Sequence, residues 1–331
     1  MVQQQALRDY GQSMDMFYGG SCGKPSWRKA KRNEGFRIVG ARGSVRHCCW
    51  DVRRLSRHVG EVRIPKVGWV RFRWSRAVPD ARSYRITMDR AGRWHVAFAA
   101  IPSPVPGPGT GEVVGVDRGV TISAALSTGE MLTAPRLSPA RQRRHIRLQR
   151  RLEHAKRGSN SRAKIRLRLA RLRTRDRCAR RDWAEKTSTD IARRFDLIRI
   201  EDLHVEDMTR KSAPRPDPVR PGAFLSNRAS ARAGLNREIR ASGWGLLAQR
   251  LEEKAPGRVE KINPAYTSQT CNACGHCEPG NRESQAFLCK HCGHTDHADV
   301  NAAKNIAAGH AVTARGGFRV AGPLNREPRA A

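Results

Sequence analysis

Two C-x-x-C knuckles, Cys271-Asn-Ala-Cys274 and Cys289-Lys-His-Cys292, are the residues in this chain whose spacing most directly specifies chemistry. Four thiolates so placed can close a tetrahedron around Zn²⁺, with Zn–S bonds of about 2.3 Å. Gly275 and Gly293 each follow the second cysteine of a knuckle, where the freedom of glycine lets backbone amides turn toward the sulfurs. A redox dithiol is the competing chemistry, but it needs one such pair and not two. Cys277 extends the first knuckle to C-x-x-C-x-x-C, so it could exchange with a neighbour as ligand; Cys271 and Cys274 mirror the second knuckle and are the expected pair. Four protein sulfurs leave no open position, which makes the expected zinc structural.

Three acids stand out by position. Asp117 closes a predicted strand over 112–117, between Gly115 and Gly119; Glu201 ends the apolar run Leu197-Ile-Arg-Ile; Asp299 sits at the start of the last predicted helix, where the helix dipole favours a carboxylate. Carboxylates from two strand ends and a helix start can converge, and hard oxygen ligands of this kind suit Mg²⁺. Two such ions about 4 Å apart activate a water and stabilise the leaving oxygen of a phosphodiester. Each acid also has a plainer explanation: a turn residue, a strand end, a helix cap. Asp202, Glu206, Asp207 and Asp296 compete for the same roles.

The elements needed to position these groups can be read from the pattern. Alternating apolar residues over 61–100, with a turn at Asp89-Arg-Ala-Gly92, predict a hairpin within a small β domain. Leu7, Tyr10 and Met14 suggest one helix before it, and 101–110, rich in Pro and Gly, is a linker. Runs at 112–117, 121–126 and 131–133 predict an antiparallel meander, followed by helices over 138–157 and 161–195 broken at Gly158-Ser-Asn160. A strand at 195–201 and a mobile Pro-rich loop at 210–227 follow. Next come a helix capped by Ser230 and running to Lys254, with Gly234, Gly243 and Gly245 as weak points, and a strand at 258–262. A final helix covers 300–308. This α/β order is compatible with an RNase H-like sheet carrying parallel strands buried on both faces.

Composition sets the partner class. The 331 residues carry a net charge of +34, which opposes compaction unless a polyanion neutralises it. Nucleic acid is the expected polyanion and an anionic membrane its rival. Only 12 of the 64 basic residues are lysine, and the planar fork of arginine suits phosphate and base edges. Arg141 to Arg181 holds 18 basic residues against two acids; like charges that dense on a helix face predict a phosphate channel more than a solvated surface. Trp27, Phe36, Trp50, Trp69 and Trp74, interleaved with basic residues, could stack on bases, although a β domain there predicts core for most. The apolar runs are too short to span a bilayer and the start lacks a signal-peptide pattern, so a cytoplasmic, nucleoid-associated protein of a bacterium or archaeon is expected, with no membrane partner. Nine cysteines in a reducing compartment fit a metal site better than disulfides.

Taken together, Gly115-Val-Asp117-Arg-Gly119, Ile200-Glu201-Asp-Leu203, Tyr266-Thr-Ser-Gln-Thr-Cys271-Asn-Ala-Cys274-Gly, Phe287-Leu-Cys289-Lys-His-Cys292-Gly and His297-Ala-Asp299-Val-Asn-Ala-Ala-Lys-Asn-Ile306 resemble the TnpB/OrfB family of insertion-sequence proteins, relatives of the type V CRISPR effectors. The resemblance covers 61–309 well and 7–40 loosely. It implies guide RNA-directed cleavage of target DNA by a RuvC-type domain (111–265 and 296–309), with a zinc ribbon inserted at 266–295. A partial recognition and wedge-like β domain (1–110) would grip guide RNA, the basic helix pair would border the heteroduplex, the 210–227 loop would cover the active site, and 310–331 would be a disordered tail. Asp117, Glu201 and Asp299 would be the catalytic magnesium ligands; Cys271, Cys274, Cys289 and Cys292 would hold zinc. Family members usually carry more residues before Leu7, which predicts an N-terminally shortened copy. A nucleic-acid binder that does not cut is the alternative that shortening favours, and a strand-transferring transposase ranks third.

Overall fold

β-Branched and aromatic residues alternating along 35–98 build two antiparallel sheets of three strands each. The computed structural model describes residues 2–26, 34–40, 50–220 and 222–309, which fall into two units. Trp27 and the expected tail lie outside the described residues.

The first unit runs to Pro102 and takes in Ser138–Arg175. It begins with α1 (Val2–Tyr18) and continues with β1 (Gly35–Val39), β2 (Val52–Arg54), β3 (Val59–Ile64), β4 (Gly68–Arg73), β5 (Ser83–Met88) and β6 (Trp94–Phe98). The sheets have the orders β1-β5-β6 and β2-β3-β4. The hairpin expected over 84–98 is β5–β6, its turn fixed by Asp89 Oδ1, which accepts from the Ala91 and Arg93 amides at 2.8 and 2.9 Å. Trp50 and Tyr84 are fully buried with ring centroids 5.1 Å apart, and Phe36, Phe72, Trp74 and Phe98 pack around them. Those aromatics are core. Trp69 is 38% exposed, with the Arg53 guanidinium 4.3 Å above its ring. The helix suggested by Leu7, Tyr10 and Met14 is α1, in which Leu7 and Tyr10 are exposed and Gln5 is buried. The predicted helix pair is α2 (Pro139–His154) and α3 (Asn160–Arg194), joined through Gly158 at φ +83° and packed here by Leu148, Ile165 and Leu169.

The second unit covers Ser103–Leu137 and the chain from Asp176. Its sheet is built from β7 (Val113–Asp117), β8 (Ala124–Leu126), β9 (Met131–Leu132) and β10 (Leu197–Glu201). Between β10 and the fifth strand come α4 (Val205–Met208), β11 (Arg215–Pro216), β12 (Phe224–Leu225), α5 (Ala229–Ser242) and α6 (Trp244–Lys254); that strand is β13 (Val259–Ile262). The order is β13-β10-β7-β8-β9: an antiparallel meander from β7 to β9, with β10 parallel to both β7 and β13. Val114, Val116, Leu126, Ile198 and Ile200 are buried between sheet and helices, together with Leu247 and Leu251 of α6. Three expectations need correction. The single helix over 230–254 is two, because Gly243 turns left-handed at φ +80°. Ser230 is not its cap: the helix starts at Ala229, whose amide is taken by Asn227 Oδ1 at 3.2 Å. The 210–227 loop carries the short antiparallel pair β11–β12. The Pro/Gly linker is tied down as well, since Asp196 accepts from the Gly109 and Gly111 amides at 2.9 and 2.6 Å.

The last elements among the described residues are β14 (Arg282–Glu283), β15 (Ala286–Leu288), β16 (Thr295–His297) and α7 (Ala298–Ala308). Helix α7 starts two residues earlier than its apolar pattern predicts, because His297 Nδ1 accepts the Asp299 amide at 3.3 Å and caps it. It lies directly on β7. A Cβ at Gly115 would overlap the Ala303 carbonyl and the Ala307 amide, so only glycine admits the helix this close.

Candidate functional site

The parallel register that pairs Ile200 with Val116 brings the next residues, Glu201 and Asp117, side by side at the ends of β10 and β7. Asp299, in the first turn of α7, completes the group from above; its Oδ2 would lie 3.7 Å from a Cβ at Gly119, just past the β7 exit. All three carboxylates are nearly buried, at 9, 8 and 7% exposure for Asp117, Glu201 and Asp299. The competing acids are elsewhere engaged or open to solvent: Asp202, Glu206 and Asp207 are exposed, and Asp296 is held by Lys304 Nζ at 2.6 Å.

Crowding like charges in a dry place has a cost that shows in their protonation. Burial, then the charges of Glu201 and Asp299, push the Asp117 carboxyl well above its ordinary range, against the pull of Arg282. Burial also raises Glu201, opposed by the Thr267 hydroxyl and the Arg118 guanidinium. Two arginines are the local countercharge. Arg282 Nη2 donates to Asp299 Oδ1 at 2.9 Å. Arg118, only 5% exposed, donates from Nη2 to the Glu201 carbonyl, while its Nε is buried without a partner. Trp244 Nε1 closes the β7 exit with a bond to the Gly119 carbonyl at 2.9 Å. Three acids against two guanidiniums leave room for added positive charge, and an all-oxygen donor set of this kind fits a hard divalent cation.

The four expected cysteines also meet. Their sulfurs lie within 4.8 Å of one another, with Cys271–Cys292 at 3.7 Å and Cys274–Cys289 at 3.6 Å. A tetrahedron with bonds of about 2.3 Å has edges of about 3.8 Å, so the cluster could hold zinc with little rearrangement. Gly275 and Gly293 are left-handed, at φ +76° and +73°, and amides of both knuckles point at sulfur. Burial pushes the Cys274 thiol up to about 12; at Cys289 burial is outweighed by the Cys292 and His291 amides, which bring it down to about 7. Four thiolates so close need a cation to coexist. Cys277 stands outside the group, in a β-bridge with Thr270.

Buried amides tie this cluster to the acids. Asn301 Nδ2 donates to the Thr270 carbonyl at 2.7 Å and its Oδ1 accepts from the Asn272 amide at 3.0 Å. Asn305 Nδ2 donates to the Thr267 and Thr270 carbonyls at 2.9 and 2.7 Å, and Thr267 Oγ1 reaches Glu201 Oε1 at 3.1 Å. Sequence reasoning gave no role to Arg118, Arg282, Thr267, Asn301 or Asn305. The i, i+4 spacing of Asn301 and Asn305 on an alanine-rich helix was the available sign for the two asparagines.

On the first unit, a groove of about 670 Å³ opens between α2 and α3, lined by Arg143, Arg147, Arg150, Arg151 and His154. Among the described residues no helix is long and apolar enough to cross a membrane.

Comparison with known proteins finds relatives along nearly the whole chain. A family model described as "Probable transposase" (OrfB_IS605) matches residues 95–212, and one described as "Cas12f1-like, TNB domain" matches 244–306. The chain is similar to an Escherichia coli (strain K12) protein named "Putative RNA-guided DNA endonuclease InsQ", 33% identical over 98% of this chain and 78% of that protein. A Streptomyces pristinaespiralis protein of the same description is 33% identical over 74% of this chain and 58% of its own length. Among solved structures, a Cas12f1–sgRNA–target DNA complex covers 89% of this chain and 68% of its own at 14% identity and a TM-score of 0.48. With one-third identity sustained along nearly its whole length, the chain belongs to the TnpB/OrfB family of insertion-sequence transposase-like proteins.

Proposed function

We propose that this chain is an RNA-guided DNA endonuclease that hydrolyses phosphodiester bonds at the Asp117–Glu201–Asp299 cluster. The observation that carries this reading is the cluster itself: three buried carboxylates delivered by two parallel strand ends and a helix start. The sheet order, a three-strand meander extended by two parallel strands, supports a RuvC-type, RNase H-like nuclease domain over 111–265 and 296–309. The names of its relatives support the reaction and its guidance by RNA. Segment 266–295 is a zinc ribbon on this reading, with Cys271, Cys274, Cys289 and Cys292 holding the ion.

Asp117, Glu201 and Asp299 would hold Mg²⁺, which when bound supplies an activated water and stabilises the leaving oxygen. The residues themselves do the rest. Asp117, drawn toward protonation by burial and by the charges of Glu201 and Asp299, and Glu201, drawn the same way by burial, give up their protons to act as ligands. Arg118 offsets the charge of Glu201 from behind, and Arg282 fixes one oxygen of Asp299. Guide RNA and target DNA are the partners: the β sheets of the first unit grip the guide, and the α2–α3 groove meets backbone phosphates through its arginines.

The test is cleavage of a matched DNA target by protein purified with its co-expressed guide. Asp117→Ala should abolish cutting, by at least about 10³-fold, and leave nucleic-acid binding intact. Full cutting by that variant overturns the site; a wild-type chain that retains guide and target yet never cuts overturns the reaction.

A further inference from the structure

Resting on that reading, we infer that Thr267 is a positioning residue for Glu201, the joint through which helix α7 and the cysteine segment set the direction of this carboxylate. Thr267 is 2% exposed, and its hydroxyl lies 3.1 Å from Glu201 Oε1 and 3.1 Å from the Pro264 carbonyl. A hydroxyl has one hydrogen to donate, so two acceptors at equal reach make it a two-position donor. Turned to Glu201, it fixes which carboxylate oxygen this hydroxyl engages. Turned to Pro264, it stays satisfied in a buried place where an orphaned hydroxyl would be costly.

The backbone that presents this hydroxyl is not held by its own strand or helix. It is held by Asn305, through the Thr267 carbonyl, and Asn305 with Asn301 also holds the Thr270 carbonyl, one residue before Cys271. Both asparagines are buried, at 5 and 0% exposure, so these bonds are sheltered from water. Asp299 and Glu201 are thereby placed by one element. Asp299 rides on α7 directly, and Glu201 is oriented through Asn305 and Thr267. Outer groups that orient metal ligands typically change affinity or activity 10–100-fold when removed.

The experiment compares wild type, Thr267→Val and Thr267→Ser as full chains purified with guide. Zinc content, melting temperature, Mn²⁺ binding followed by electron paramagnetic resonance, and DNA cleavage across a Mg²⁺ titration are measured on each. Valine keeps the shape and deletes the donor; serine keeps the donor. Thr267→Val should retain its zinc and bind Mn²⁺ about 10–100-fold more weakly, with a matching rise in the Mg²⁺ needed to cut. Thr267→Ser should stay within about threefold of wild type. Wild-type Mn²⁺ binding in Thr267→Val overturns the inference. So does a serine variant as impaired as the valine one, and so does zinc loss in Thr267→Val, which would make the residue a structural part of the ribbon. The nuclease reading fails separately, if Asp117→Ala binds Mn²⁺ and cuts as wild type does.

Discussion

Gly115→Ala adds one methyl group at the contact between β7 and α7, and its consequences can be worked through. The new Cβ would sit 3.0 Å from Ala307 Cα and closer still to the Ala303 carbonyl oxygen and the Ala307 nitrogen. Both partners are backbone, so no side chain can swing aside. Ordinary carbon contacts need about 3.5 Å or more, and because the two nearest backbone atoms lie far inside that distance, the helix must lift by more than about 1 Å. Overpacking of this kind costs about 1–3 kcal/mol, which for a chain of this size lowers the melting temperature by about 2–4 °C per kcal/mol. The larger effect should be on cutting. Asp299 rides on α7 while Asp117 and Glu201 stay with the sheet, so the lift opens the cluster, and a misplacement of about 1 Å can cost about 10²-fold in rate. The assay is single-turnover cleavage beside a thermal melt. Gly234→Ala, in the middle of α5 with only the flexible Arg237 tip nearby at 3.8 Å, is the control and should stabilise by up to about 1 kcal/mol. A Gly115→Ala protein that cuts and melts like wild type would falsify the claim that helix seating sets the acids.

Asp117→Asn should raise the melting temperature of protein without added divalent cation while abolishing cleavage. A carboxyl raised in the folded state favours folding below its unfolded value and loses that contribution as pH rises through its folded value; the gain should thus be larger at pH 8 than at pH 5, and a gain that shrinks with rising pH refutes the charge argument. Cys271→Ser and Cys292→Ser should each release zinc, measured by elemental analysis, and lower the melting temperature, because each removes one of the four sulfurs gathered at tetrahedral spacing; metal content unchanged in both sinks the ribbon. Replacing Arg147 or Arg151 with Ala in the α2–α3 groove should weaken nucleic-acid binding without regard to sequence and reduce the salt slope by about 1 each. An unchanged slope in the double variant removes the groove from the interface.

Strands rich in Val and Ile, helix boundaries near Gly158 and the sulfur spacing could be read along the chain because each depends on neighbours in sequence. The three acids could be named for the same reason, as strand ends and a helix start. Their countercharges could not. Arg118 and Arg282 are two arginines among 64 basic residues, and only their contacts with Glu201 and Asp299 distinguish them. Gly115 carried a faint sign, since a glycine within Val-Val-Gly-Val marks a strand that something approaches closely, but the identity of the approaching helix is a tertiary fact. Ser230 misled because Asn227, three residues earlier, bonds the Ala229 amide first and starts the helix.

Helix α7 also imposes an order in time. Asp117 and Glu201 leave the ribosome before Asp299, and over half of the 331-residue chain separates Asp117 from Asp299. The arginines of α2 precede all but the first acid. A nascent chain can therefore gather nucleic acid while its third carboxylate is still unmade, and on the proposed reading it cannot cut what it holds. Competence arrives with the docking of one 11-residue helix onto Gly115, so synthesis itself delays the nuclease until the rest of its sheet is in place.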